Sequence, residues 1–112
     1  MNSASLVEEL LYKEDKPAVT LLLTTKTTKE IRIVMKQGQT MKEHKAPYPI
    51  VIELFEGSVD FGVNGIKQLL KKGDLIALDE NVPHDLICVS DSIIRLSLSI
   101  FDDVERVNNV NN

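Results

Sequence analysis

Beyond residue 12 the chain is a succession of short apolar and β-branched runs separated by turn residues. None offers the roughly 10–15 residue amphipathic period that a crossover helix needs. The runs are VTLLLTT at 19–25, IRIVM at 31–35, IVIELF at 50–55, LIAL at 75–78, LICV at 86–89 and IIRLSLSI at 93–100. Val59, Phe61 and Val63 alternate with Ser58, Asp60 and Gly62, which is the period of a half-buried strand. Asn64-Gly65 follows, the preferred pair for a tight hairpin because both central residues take positive φ. Ile66, Gln68 and Leu70 return from it to the turn Lys71-Lys72-Gly73-Asp74. Short strands at roughly 8–12 residue spacing predict an all-β sandwich or barrel and exclude a parallel βαβ fold.

Only the first residues read otherwise. Ser5 with Glu8 three positions on has the form of a capping box, and Leu6, Leu10 and Leu11 share one face. Residues 1–17 are therefore expected as a short helical or irregular extension. The tail, 103–112, is rich in Val and Asn and is expected to fray. At 112 residues one domain spans the chain, hiding about two-thirds of the surface its unfolded form exposes.

With 13 Lys+Arg against 17 Asp+Glu the net charge is −4, and no clustered basic footprint of a nucleic-acid binder is present. No apolar run approaches the ~20 residues of a membrane helix, and the opening residues lack a basic start and a long apolar stretch, so no signal peptide is expected. The lone Cys88 cannot make an internal disulfide. Together these point to a cytoplasmic protein with no nucleic-acid or membrane partner.

The histidines carry the functional signal. Gly38, five residues and His44 are followed by Gly57; Gly73-Asp74 leads to Asn81-Val82-Pro83-His84. This order, with a tight hairpin between the two parts, resembles the small single-domain cupins (the cupin-2-type conserved barrel) over about residues 31–100. In that family the first motif is a Gly, five residues, His-x-His, a Glu and a closing Gly; the second runs from a Gly through a Pro to a third His. The resemblance implies a jelly-roll β-barrel whose three His and one Glu hold a divalent metal. This chain departs from it twice, because the second His falls on Ala46 and the Glu on Ile50. Two histidines remain, whereas a catalytic zinc normally has three protein ligands and a non-haem iron two His and a carboxylate.

Three roles stay open for His44 and His84: hydrogen-bonded barrel lining, a pair that orients a small polar ligand at a barrel mouth, or ligands to one divalent metal (Zn, Fe, Ni or Mn). A register shifted by one residue would turn Glu53 inward as a third ligand, at the cost of turning Ile50, Ile52 and Leu54 outward. The ligand pocket is expected to comprise His44, His84, Tyr48, Ala46, Ile50 and Phe61, with His44 and His84 as the metal pair. Tyr48, flanked by prolines, suits a rigid rim. Lys42 shares the strand parity of His44 and could reach an anion. Cys88 is core filling, and Arg95 a solvated or dimer-facing charge.

The inner faces are expected to carry His44, Ile50, Ile52, Leu54, Val59, Phe61, His84 and Leu86. The outer residues Val51 and Phe55 are too apolar to stay wet, so a homodimer is expected. The functional expectation is a barrel that binds a small polar molecule, non-enzymatic or regulatory in kind. Its rivals are a metal-dependent enzyme of the oxygenase or isomerase class using His44 and His84, and a purely structural dimerisation module.

Overall fold

Two long strands organise the fold. In the computed structural model, which describes residues 1–111, β4 (Ile50–Val63) and β7 (His84–Ser99) pair antiparallel from Val51 opposite Ser97 to Val63 opposite His84. The pairing shifts register three times between Leu54 and Val59, where both strands turn from one layer into the other. Gly57 sits in that turn at φ +91°, and a Cβ there would lie 2.3 Å from the carbonyl oxygen of Asp91. The position thus needs glycine both for its left-handed backbone and for the close strand crossing.

The shorter strands complete two layers. On one, β1 (Ala18–Thr24), β2 (Thr28–Met35) and β6 (Leu75–Leu78) flank the β7 and β4 segments beside the chain ends of the bend. On the other, β3 (Thr40–His44) pairs with the start of β7 and β5 (Ile66–Lys71) with the end of β4. All pairings are antiparallel, and the layers close over one core in a jelly-roll barrel. The β4–β5 hairpin turns at Asn64 and Gly65, both with positive φ. The run at 50–55 and the alternating stretch at 58–63 are one bent strand, as are 86–89 and 93–100.

The inward positions follow strand parity. Ile50, Ile52, Leu54, Val59, Phe61, His84 and Leu86 are buried, and His44 is half-buried. The shifted register that would bring Glu53 inside does not occur: Ile52 is buried, and Glu53 accepts a 2.8 Å hydrogen bond from Arg95 Nε on the outer face. Arg95 also donates to Glu30 at 2.7 Å, so its charge is paired within the chain. Cys88 packs in the core as expected.

Parity fails in β3. A bulge lies between Met41 and His44, so both point toward the core while Lys42 and Glu43 are exposed. Lys42 therefore does not share the face of His44, contrary to the sequence expectation. A bulge adds an unpaired residue and so breaks the alternation on which that expectation rested.

The N-terminal extension takes the irregular form of the two expected, whereas the C-terminal tail departs from expectation. Residues 5–9 form a turn, not a helix, although Ser5 Oγ does accept from the Val7 and Glu8 amides at 3.1 Å each. Leu6, Leu10 and Tyr12 pack with Phe55 on a second cluster of Ala18, Val34 and Ile93. Phe55 is thus covered by the chain's own extension, and of the two outer residues only Val51 remains exposed. Arg32, buried beneath the extension, donates to the carbonyls of Ser5, Glu8 and Glu9. Of the 103–112 tail, expected to fray, the described part 103–111 instead contains α1 (Val104–Asn108), capped by the Asp103 side chain on the Glu105 amide, while residue 112 lies outside the described residues. No helix among the described residues is long and apolar enough to cross a membrane.

Candidate functional site

His44 ends β3 and His84 begins β7, and the two are directly opposite in the ladder. Their rings lie 4.2 Å apart between centroids and are inclined at 60°. Phe61, on the neighbouring segment of β4, stacks on His84 at 5.6 Å and 17°. The fold therefore brings together two imidazoles that are distant in the sequence and backs one of them with an aromatic face.

Their hydrogen bonds fix the tautomer. His44 Nδ1 is 2.6 Å from the carbonyl of Lys42, and His84 Nδ1 is 2.9 Å from the carbonyl of Val82. A carbonyl only accepts, so each Nδ1 carries the proton and donates, and each Nε2 of the neutral ring is left as an acceptor. Burial pushes the pKa of both rings down, that of His44 to about 4. The Arg106 guanidinium adds to the depression of both, while the backbone hydrogen bonds and Asp85 oppose it. At neutral pH the pair is uncharged.

The cavity at the pair is small, about 20 Å³, enough for roughly one water molecule. Apart from the two histidines and Arg106 its lining is apolar, with Met41, Ile50, Leu86 and Val107 among the contributors. Of the residues expected from sequence, His44, His84 and Ile50 line it, and Phe61 supports it from behind. Ala46 is buried in the core but does not line it. Tyr48 stands outside at the rim, 37% exposed, with its ring 6.1 Å from that of Phe101.

Arg106 and Val107 escaped the sequence reading because they belong to the tail. A signal was present: Asp103 precedes a stretch with Val104 and Val107 three apart, a capped turn with one apolar face. In the structure Asp102, 2% exposed, accepts from Arg106 Nε at 2.8 Å and from its terminal nitrogen at 2.7 Å. This pair holds the guanidinium at the cavity.

The donor set does not fit the metal that cupin resemblance implies. Among the described residues no group of three or more His, Cys, Asp or Glu side chains converges. The positions that would complete the set are the buried apolar Ala46 and Ile50. The nearby Arg106 cation further disfavours a second positive charge. Two neutral imidazole acceptors in an apolar wall suit a hydrogen-bond donor better than a divalent ion.

No protein-family model matches the sequence. No curated protein matches it either. Solved structures do. An RmlC-like cupin protein from Desulfovibrio desulfuricans superposes with a TM-score of 0.78 at 19% identity, covering 88% of this chain and 96% of that one. A conserved protein with a double-stranded β-helix domain from Klebsiella pneumoniae gives 0.74 at 20% identity, covering 85% of each chain. KdgF from a Halomonas species gives 0.72 at 14% identity, covering 88% and 94%. At these identities the likeness establishes the fold alone, a barrel of the cupin, double-stranded β-helix kind.

Proposed function

We propose that this cupin barrel binds a small polar molecule through the Nε2 atoms of His44 and His84, and that it acts as a binding or regulatory protein without catalysing a reaction. The observation that carries this is the pair itself, two neutral rings held in the same tautomer by backbone carbonyls. Such a pair accepts hydrogen bonds from a hydroxyl or amide group, and the apolar lining rewards a compact ligand. A ring whose pKa lies near 4 is a weak base at neutral pH, and general base catalysis favours a pKa close to the working pH. Among the described residues, the only charged side chain lining the cavity is Arg106.

The reading extends to a homodimer. With Phe55 covered, the outer patch left for pairing is Val51, Ala77 and Leu75 on adjacent strands. Light scattering on the purified protein should give twice the chain mass, and Val51→Lys should shift it toward the monomer; a monomer at all concentrations rejects this part.

Ligand binding is tested by thermal shift across a panel of hydroxylated and amide-bearing metabolites, with elemental analysis of untagged protein purified without chelators. A stabilising compound whose effect disappears in His44→Phe and His84→Phe is expected, with no stoichiometric metal. Near-stoichiometric metal that is lost in His44→Ala would overturn the proposal in favour of a metal-dependent enzyme. A panel with no stabilising compound would favour a structural module.

A further inference from the structure

We infer that residues 102–111 are a displaceable plug that closes the imidazole site from within the chain, so that any ligand larger than a water molecule must first lift α1 out of the barrel. The inference rests on the binding role just proposed for the pair. Val107, 3% exposed, packs in the main core cluster, and both it and Arg106 line the cavity beside the histidines. They leave about 20 Å³ there, against the roughly 300 Å³ or more of an ordinary small-molecule site.

The plug has the construction of a detachable part. Its helix is five residues long, far too short to be stable unaided. Its strongest internal tie, Arg106 to Asp102, lies within the segment and so moves with it. What fastens it to the barrel, besides Val107 and its valine neighbours, is largely polar. The Asn111 side chain accepts from the Lys42 amide at 2.9 Å and donates to the Thr40 carbonyl at 2.6 Å. Both bonds lie at the solvent-exposed edge of β3, where water replaces them on release. Arg106 donates to the Lys45 carbonyl at 3.3 Å, and Lys29 donates to the carbonyl of Asp102. The strand positions that bear the histidines make no use of these bonds: His44 and His84 are paired through β3 and β7 and anchored to Lys42 and Val82 carbonyls of the barrel itself. The pair therefore survives removal of the segment.

The test uses diethyl pyrocarbonate, which acylates neutral imidazole and is far larger than water. The chain has only two histidines, both in the site, so peptide mass spectrometry reads the site alone. Compared are the full chain, a chain ending at Phe101, and the full-length variants Asn111→Ala and Val107→Ala. The shortened chain is expected to react at least tenfold faster than the full chain, and the two substitutions severalfold faster, with unchanged β-sheet circular dichroism. Equal rates in the full chain and in every variant that keeps its β-sheet spectrum would overturn the plug. Should the shortened chain unfold, Asn111→Ala, which loses only exposed hydrogen bonds, decides. Fast acylation combined with no ligand from the metabolite panel would leave the plug standing and reject the binding role.

Discussion

The depressed pKa of the two imidazoles has a consequence for stability that can be measured without knowing any ligand. A base whose folded pKa lies below its unfolded value near 6.5 takes up its proton first in the unfolded chain. Stability from this source is complete above about pH 6.5 and declines as pH falls toward the folded pKa, which for His44 is about 4. After discounting for its partial solvation, we expect a loss of about 2 kcal/mol between pH 7 and pH 4.5, read as a fall in the urea midpoint. His44→Gln should flatten the curve; an equal fall in that variant would place the effect elsewhere. Asp102 acts in the opposite sense. Its hydrogen bonds from Arg106 and the Asp103 amide hold its pKa below the usual carboxylate range, so its contribution is present above that range and lost in more acidic solution. Asp102→Asn deprives the half-buried Arg106 guanidinium of its charge partner and should cost about 2 kcal/mol at pH 7, checked by the same titration. At this scale the sequence revealed His44 and His84 through their spacing from the glycines and Pro83, and Ile50 through the alternation of its strand. It hid Arg106 and Val107, since a single turn of helix has too few residues to display a period.

Among the elements, the bend in β4 makes the sharpest demand. Gly57→Ala places a Cβ 2.3 Å from the Asp91 carbonyl at a left-handed φ; we expect a loss of about 3–4 kcal/mol in chemical denaturation, and a near-neutral result would mean that the crossing is looser than described. The N-terminal extension makes a different prediction. Arg32 is buried with its Nε unpartnered and only carbonyls around its terminal nitrogens. Replacing it with Met removes a costly buried charge along with the hydrogen bonds that fasten residues 5–9. Global stability should change by less than about 1 kcal/mol, while trypsin cleavage after Lys13 accelerates. Unchanged cleavage would show that Leu6, Leu10 and Tyr12 hold the extension by themselves. Strand existence was legible from apolar runs and from Asn64-Gly65. The continuity of β4 and β7 through their bends was not, because Glu56-Gly57 and Ser90-Asp91 read locally as turns. Nor was β3, whose charged Lys42 and Glu43 fall on a bulge.

For the molecule as a whole, a barrel of cupin-like fold carries two inward histidines as a neutral, same-tautomer acceptor pair in an apolar wall. The spacing of glycines and histidines was enough to suggest the barrel, since the fold is set by strand order and turns that those residues mark. It did not reveal how little space the barrel retains, because the side chains that fill it come from a segment with no strand pattern. The central claim is tested most directly by long-range ¹H–¹⁵N correlation NMR of the histidine rings between pH 5 and 7.5, with ring-to-ring nuclear Overhauser effects. His44, with a pKa of about 4, should show protonated Nδ1 and unprotonated Nε2 throughout; His84 should show the same tautomer at the upper end of the range and titrate below the ordinary imidazole value; and the two rings should show contacts to each other. A ring that titrates near 6.5, a proton on Nε2 of either ring at the upper end of the range, or the absence of contacts between them would contradict it.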